Sequence, residues 1–269
     1  MKRITVLPVL VLSAAMVFLA GCNRETKLKT KVYEKNVEAK LSEDGQDAIS
    51  VKVKLEYPVE GASPEVLSKM TEAIIGYTVG SMDGVDSNVE KVVNDYVDVT
   101  VEAYKDACRE LIRIREQEED GAYQGMLNWE DYVEGYFAGS HKNAISYIVY
   151  AYSYDGGAHG DEGEYAMVFD TKTGNLITED DYFIPGYEYE LSQMLSAHLR
   201  EAFPDPDDYE TLFMKDIESN GNFSVSDEGV TYIYSPYEIG PHSLGTIRVN
   251  IPWEEISAIL KDSSTTRID

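Results

Sequence analysis

The sequence has little positive charge, few histidines and almost no cysteine, and these shortages narrow the possible functions. Of its 269 residues, 23 are Lys or Arg and 49 are Asp or Glu, so the formal net charge is −26 at pH 7. Such a chain repels a phosphate backbone, so we expect no nucleic-acid binding. Four histidines, without a His-Glu-x-x-His pair or a Gly-x-Ser-x-Gly motif, provide no complete catalytic motif. We therefore expect no enzyme activity, no metal site and no cofactor.

One of the two cysteines, Cys22, ends a targeting segment. Lys2 and Arg3 begin this segment, Ile4–Leu19 is an apolar run too short for a typical membrane span, and Leu-Ala-Gly precedes Cys22. This order is typical of a bacterial lipoprotein, so we predict a signal peptide at 1–21 and lipidation of Cys22. The alternative is an ordinary secretory signal with a chance cysteine. The mature protein is expected outside the cytoplasm, lipid-anchored to the cell membrane or the outer membrane, through a tether at 22–29.

The second cysteine, Cys108, has no intrachain partner once Cys22 carries lipid. It falls on the apolar face of a predicted helix beside Tyr104 and Leu111. We interpret it as a buried packing residue. Loss of Lys2 and Arg3 with the signal peptide changes the net charge from −26 to −28. A field of that sign attracts basic proteins and peptides, although it also simply favours solubility.

The pattern of the first half predicts two strands followed by two helices. Apolar residues alternate with polar ones from Ile49 to Tyr57, which indicates a half-buried strand, and residues 31–41 alternate more loosely. Ser63-Pro64 predicts a helix start. A capping box, Ser87-Asn-Val-Glu90, opens a long helix over about 88–118, which Gly121 should end.

The second half predicts hairpins interspersed with shorter helices. Ile145–Tyr154 is bulky on both faces, which favours a central strand covered on both sides. Further strands are predicted at 129–137, 165–169, 176–178, 223–225, 230–234 and 246–251, and helices at 187–203, after Asp205-Pro206 and at 253–260. Because strands and helices come in mixed order with few βαβ units, the predicted class is α+β, with mostly antiparallel sheets and packed helices.

The candidate ligand-binding residues lie in two glycine-containing turns. The first follows the central strand and contains Gly156, Gly157 and His159; the second contains His242. If the turns met in space, His159, His242, Tyr237 and Glu238 would form one polar patch, and Tyr152 and Tyr154 would add aromatic contact area. The simpler alternative is that His159 only hydrogen-bonds to a neighbouring loop. We interpret His141 as a surface loop residue and His198 as a packed, hydrogen-bonded histidine.

Several separated motifs also carry a resemblance to a known family. They are Tyr152–Gly160, Phe169–Gly174, Ser235–Gly240, Gly245 and Ile251-Pro252. The region that contains them, Trp129–Lys261, resembles the C-terminal domain of RsiV-type lysozyme-sensing anti-sigma factors, known as domain of unknown function 3298. His242 departs from it, because the family usually has an aromatic residue there. The preceding segment more weakly resembles the N-terminal accessory domain of PdaC-type peptidoglycan deacetylases, without the metal motifs of their catalytic unit.

These observations predict the domain organisation and leave three functions open. The predicted parts are a PdaC-type α+β domain at 30–125, an RsiV-like α+β domain at 126–262 and a tail at 263–269. The first hypothesis is a non-enzymatic binding or sensing module, and the resemblance implies lysozyme as a partner; another basic protein or cell-wall glycan or peptide would also fit. The second is an envelope hydrolase or metal-dependent enzyme that uses His159 and His242. The third is a structural envelope lipoprotein without a small ligand.

Overall fold

The computed structural model describes residues 28–43, 45–80, 87–115 and 127–261. The predicted signal peptide, most of the tether, the predicted tail, Cys22 and Gly121 lie outside these ranges. No helix among the described residues combines the length and the apolar character that a membrane crossing requires. The described chain is α+β, as the sequence pattern predicts.

The chain divides into two compact units that do not follow chain order. The first comprises the described residues up to Ser63, Met70–Gly135 and Tyr150–Glu162. The second comprises Pro64–Lys69, Tyr136–Val149 and the described residues from Gly163 onward. The predicted domain boundary between 125 and 126 stays a prediction.

Five strands form one sheet in chain order: β1 (Lys29–Lys40), β2 (Ala48–Glu60), β3 (Trp129–His141), β4 (Ala144–Tyr154) and β5 (Asp161–Asp170). β1 and β2 pair antiparallel, whereas β2 and β3 pair parallel. The parallel pair needs a long crossover, and two helices provide it, α1 (Pro64–Thr78) and α2 (Val89–Arg115).

A second, three-stranded sheet is antiparallel throughout and consists of β6 (Phe223–Val225), β7 (Gly229–Tyr234) and β8 (Ile247–Pro252). Four short helices accompany it in the second unit: α3 (Glu179–Tyr182), α4 (Glu188–His198), α5 (Pro206–Glu210) and α6 (Trp253–Ile256). α4 packs against β8, and α6 packs against both β7 and β8.

The apolar alternation of β2 forms the core of the first unit. Ile49, Val51, Val53 and Leu55 are at most 2% exposed, which confirms the predicted half-buried strand. α2 packs against β1 and β2, and Tyr104 and Cys108 on α2 are fully buried. Each aliphatic side chain buried in this way contributes about 1.5–3 kcal/mol relative to an exposed one.

α2 begins almost where the capping pattern predicts. Its cap is Asn88 and not Ser87, because the backbone N–H of Lys91 donates to Asn88 Oδ1 at 3.1 Å. Residues 116–118 of the predicted helix lie outside the described residues. Cys108 is a free thiol and fully buried, which confirms that it is a packing residue, and this burial raises the pKa of the thiol.

β4 is covered on both faces over only part of its length. Ala144–Val149 are all buried, whereas Tyr150–Tyr154 are half-buried or exposed. The prediction of a strand covered on both sides is therefore correct for its first half and wrong for its second. The strand predicted at 176–178 is also wrong, because only one bridge, Phe169 to Leu176, forms there.

Two histidines are packed against neighbours in the second unit. The His141 ring stacks on the Trp253 indole, with centroids 3.9 Å apart, so its interpretation as a simple surface residue is wrong. His198 is packed and hydrogen-bonded, as predicted, with Glu255 at 2.9 Å and Glu201 at 3.1 Å. Burial lowers the pKa of His198, but these two carboxylates outweigh it and leave the pKa raised.

A carboxylate ties several elements of the second unit together. Glu179 accepts hydrogen bonds from the hydroxyls of Tyr232 at 2.6 Å, Tyr187 at 3.0 Å and Ser219 at 3.4 Å. Tyr232 is fully buried, so its hydroxyl has no access to water as a substitute acceptor. This network makes Glu179 a structural anchor for α3.

Two polar side chains take the place of strand pairing in the same unit. The buried Ser146 hydroxyl donates to the carbonyl of Val225 at 2.9 Å and accepts from its N–H at 2.7 Å. The Asn222 side chain accepts from the N–H of Ala166 at 2.7 Å and donates to the carbonyl of Glu164 at 2.8 Å. Each side chain therefore satisfies two main-chain groups of a strand.

Candidate functional site

The glycine-rich turn after β4 is held by the tyrosines that precede it. Gly156 has φ +91°, a conformation that glycine adopts readily and that residues with a side chain rarely adopt. The Tyr154 hydroxyl donates to the carbonyl of Gly157 at 3.0 Å. A Cβ at Gly160 would collide with the Tyr152 ring. The turn is thus shaped by contacts within the first unit.

His159 is exposed at this turn. Its Nδ1 lies 2.8 Å from the carbonyl oxygen of Gly160, so the imidazole bonds within its own turn. Among the residues that the structure describes, no three His, Cys, Asp or Glu side chains are grouped to hold a metal ion.

A turn that directly precedes the predicted His242 turn presents an aromatic ring on a strained backbone. Ser235–Glu238 form a β-turn in which the N–H of Glu238 donates to the carbonyl of Ser235 at 3.1 Å. Tyr237 occupies the third position with φ +69°. Such a turn favours glycine or asparagine at that position, after proline, because a side chain crowds the backbone. The position is nevertheless occupied by a tyrosine, and its side chain is 57% exposed.

The Glu238 side chain holds this turn in place with two hydrogen bonds. Its carboxylate accepts from the N–H of Ser235 at 2.8 Å and from the side-chain amide of Asn220 at 2.7 Å. These bonds hold the backbone on either side of Tyr237, so the ring projects from a rigid support.

His242 and Phe213 lie close to the same turn. The His242 and Tyr237 rings are 5.3 Å apart and tilted by 45°. The N–H of Phe213 donates to the carbonyl of Ile239 at 2.9 Å, and the Phe213 side chain is 60% exposed. We call Phe213, Tyr237 and His242 the aromatic patch. Phe213 was missed by sequence reasoning, which predicted a helix at that residue; α5 ends at Glu210.

The structure therefore brings part of the predicted constellation together. Tyr237, Glu238 and His242 are neighbours in the second unit, whereas Tyr152, Tyr154, Gly156, Gly157 and His159 all belong to the first unit. The sequence left open whether His159 and His242 meet, and the two residues belong to different units.

A face of the first unit carries polar residues that sequence reasoning did not single out. Along it, Ser50, Lys52 and Lys54 of β2 stand opposite Glu130, Tyr132 and Glu134 of β3. Lys54 pairs with Glu134 at 2.6 Å, and the Lys52 ammonium lies 5.1 Å from the centre of the Tyr132 ring. The Tyr132 ring in turn lies 5.7 Å from that of Tyr150.

A cleft of about 280 Å³ lies in the first unit. Its lining is Glu38, Gln46, Ala48, Ser50, Asn128, Trp129, Glu130 and Tyr154. We call it the two-glutamate cleft. Tyr154 is the one predicted site residue in it, and neither His159 nor His242 lines it. The alternation of β2 predicted that Ser50 faces outward, but strand register, which places Glu38 and Glu130 beside it, is not readable from the sequence.

Comparison with known proteins identifies a family match and two similar structures. Residues 180–254 match the model of a family described as a protein of unknown function, DUF3298. A DUF3298 family member from Bacteroides fragilis aligns at 21% identity and a TM-score of 0.77 over 87% of this chain and 94% of that one. A DUF3298 family protein from Pseudomonas aeruginosa PAO1 aligns at 14% identity and a TM-score of 0.63, over 88% and 96%. No curated protein matches the chain.

These matches confirm the resemblance to DUF3298 for residues 180–254. At such identities the two structures establish the fold alone. The PdaC-type resemblance of the first half stays a prediction.

Proposed function

We propose that this chain is a cell-envelope lipoprotein, anchored outside the cytoplasm through Cys22, whose folded part is a non-enzymatic binding module for a basic protein of the lysozyme type. The observation that carries the proposal is Tyr237, an exposed ring held on a left-handed backbone. A non-glycine residue in that conformation costs roughly 1–2 kcal/mol. Folding gains little from a ring that is 57% exposed, so we attribute the strain to display of the ring for a ligand.

The aromatic patch has the composition of a protein-binding surface. Tyrosine and phenylalanine offer large contact areas, and tyrosine loses little conformational entropy when it is immobilised. Glu238 fixes the turn before binding, so the ligand would not have to order it. The mature charge of −28 favours a basic protein, because complementary charge speeds association and disfavours acidic partners.

Binding is tested with a soluble fragment, residues 23–269, against lysozyme and against purified peptidoglycan. We expect the fragment to bind lysozyme, with an affinity that falls as salt rises from 0.1 M, where exposed charges more than ~10 Å apart are already screened. Tyr237→Ala should weaken binding at least tenfold. The matched control is Tyr189→Ala, which removes a ring that is 74% exposed on α4.

Two results would contradict this proposal. Equal loss in both tyrosine variants would remove the aromatic patch as the contact. Retention on peptidoglycan without lysozyme binding would replace the basic protein with a wall ligand.

Anchoring is tested separately in the full-length chain. Cys22→Ser should move the protein from the membrane fraction to the soluble fraction. A variant that still fractionates with membranes would show that Cys22 is not the anchor.

A further inference from the structure

The loop that supports the Tyr237 turn contains the one Asn-Gly pair of the sequence, Asn220-Gly221. Both residues are exposed, and Gly221 has φ +74°. No heavy atom lies within 4 Å of the position that a Cβ on Gly221 would occupy. Because glycine has no side chain, its backbone nitrogen can approach the side chain of the preceding asparagine with little hindrance. The pair is therefore open to attack by the Gly221 nitrogen on the Asn220 side chain.

The hydrogen bonds around this pair leave the attacking nitrogen free and engage the group that it would attack. In the part of the chain that the structure describes, no residue accepts a hydrogen bond from the Gly221 N–H. The Asn220 Oδ1, in contrast, accepts from the N–H of Asn222 at 3.0 Å, which closes an Asx-turn. A donor on this oxygen makes the side-chain carbonyl carbon more electrophilic and stabilises the negative charge that develops on the oxygen during attack.

The side-chain nitrogen of Asn220 also holds the Tyr237 turn in place. It donates to Glu238 Oε1 at 2.7 Å and to the carbonyl oxygen of Ile233 at 2.9 Å. Glu238 in turn accepts from the N–H of Ser235, the first residue of the turn. Two acceptors thus depend on this one amide nitrogen. A carboxylate at position 220 would have no hydrogen to donate to either of them.

We propose that Asn220 is a self-modification site, at which deamidation releases the turn that holds Tyr237. The Gly221 nitrogen forms a bond to Cγ of Asn220, the Cγ–Nδ2 bond breaks, and the proton that Gly221 loses leaves with the side-chain nitrogen as ammonia. Water then opens the resulting cyclic imide, which restores the N–H and gives aspartate or isoaspartate at position 220. Overall, one amide and one water become one carboxylic acid and one ammonia, without an oxidant or a reductant.

The product changes the charge beside the turn. Its carboxylate repels the carboxylate of Glu238, which the amide had bound. Glu238 then loses its support from the loop, and the backbone around Tyr237 becomes less rigid. The inference goes beyond the proposed function, because the reaction needs no ligand.

Peptide mapping by mass spectrometry tests the reaction in the 23–269 fragment, incubated at pH 8 and 37 °C. We expect Asn220 to convert at least tenfold faster than Asn222, which precedes Phe223 and is the internal control. Because the folded loop arranges the reacting groups, the rate in native buffer should lie within tenfold of the rate in urea. A smaller ratio between the two asparagines, or a native rate more than tenfold below the urea rate, would overturn the inference.

The effect on the turn is tested with Asn220→Asp, which creates the product directly. This variant should lower the melting temperature of the fragment by about 2–4 °C, the shift expected for the net loss of about one hydrogen bond in a protein of this size. The matched control is Gln193→Glu, the same change from amide to carboxylate at an exposed residue of α4. An Asn220→Asp variant that melts like this control would show that deamidation does not release the turn.

Lysozyme binding is a third readout, and it alone rests on the proposed function. Asn220→Asp should weaken binding at least fivefold, because Tyr237 is then less firmly held. A variant that binds as tightly as a binding-competent wild type would overturn the link to Tyr237. If the wild-type fragment does not bind lysozyme, the proposed function fails, whereas the mass spectra and the melting curves still decide this inference.

Discussion

The strain at Tyr237 can be measured by comparing two substitutions at this one position. Tyr237→Gly and Tyr237→Ala both delete the ring, and both therefore lose its contact with His242. They differ in the backbone, because glycine adopts φ +69° without steric cost and alanine does not. The difference in unfolding free energy between the two variants thus isolates the conformation of the turn.

The sign of that difference follows from two opposing terms. Alanine in the left-handed region is strained by roughly 1–2 kcal/mol in the folded state. Glycine loses more conformational entropy on folding than alanine does, which destabilises the glycine variant by about 0.5–1 kcal/mol. We therefore expect the glycine variant to be the more stable by about 0.5–1 kcal/mol. For a protein of this size that is a melting temperature about 1–4 °C higher.

Thermal melting of the 23–269 fragment, followed by circular dichroism, provides the comparison. At an unstrained position alanine would be the more stable residue, so an alanine variant that melts at or above the glycine variant would refute the strain. Lysozyme binding supplies the second readout. Both variants should bind equally weakly, and a glycine variant that binds like wild type would show that the ring is not the contact.

Three further predictions concern residues that stabilise the two units. Gly156→Ala should destabilise the fragment by roughly 1–2 kcal/mol in urea denaturation, because alanine is strained at a φ of +91°. The control, Gly157→Ala, should change the stability little. The φ of Gly157 is not positive, and a Cβ there would meet only the His159 carbonyl oxygen at 3.6 Å. Glu179→Ala should lower the free energy of unfolding by about 3 kcal/mol in the same assay, because buried hydroxyls lose their hydrogen-bond acceptor. The control, Asp180→Ala at the exposed neighbouring residue, should lower it far less. Equal losses in the two variants would contradict the network. Folding raises the pKa of His198, so the charged imidazole stabilises the folded state fully below its ordinary pKa of 6.5. This stabilisation is lost as the pH rises through the pKa of the folded state. The free energy of unfolding should therefore fall between pH 6 and pH 8 more steeply in wild type than in His198→Gln.

Local patterns account for the parts of the fold that the sequence predicted. The alternation from Ile49 to Leu55 and the cap at Asp205, whose carboxylate accepts from the N–H of Asp207, depend on residues a few positions apart. The errors come where distant residues decide the outcome. His141 reads as a loop histidine because nothing near it in sequence indicates that Trp253 stacks on it.

The candidate site follows the same division. The sequence singled out Tyr237 and Glu238 because they directly precede the His242 turn, and the structure adds the positive φ of Tyr237. The two-glutamate cleft was not predictable, because Glu38, Ser50 and Glu130 meet only through strand register, and the β2–β3 pairing spans a crossover of two helices. From residue type alone, each of these three would be interpreted as an ordinary solvent-exposed side chain.

The side chains of Ser146 and Asn222 have a consequence for the order in which the second unit exchanges its amide hydrogens. The amides of Val225 and Ala166 each donate to a side chain, so their protection from deuterium depends on a rotamer and not on a ladder of neighbouring strands. Local rotation of the side chain can release such an amide where water has access, whereas a ladder amide waits for a larger cooperative opening. Ala166 is half-buried, so its amide should become labelled before that of Val225, whose partner Ser146 is fully buried.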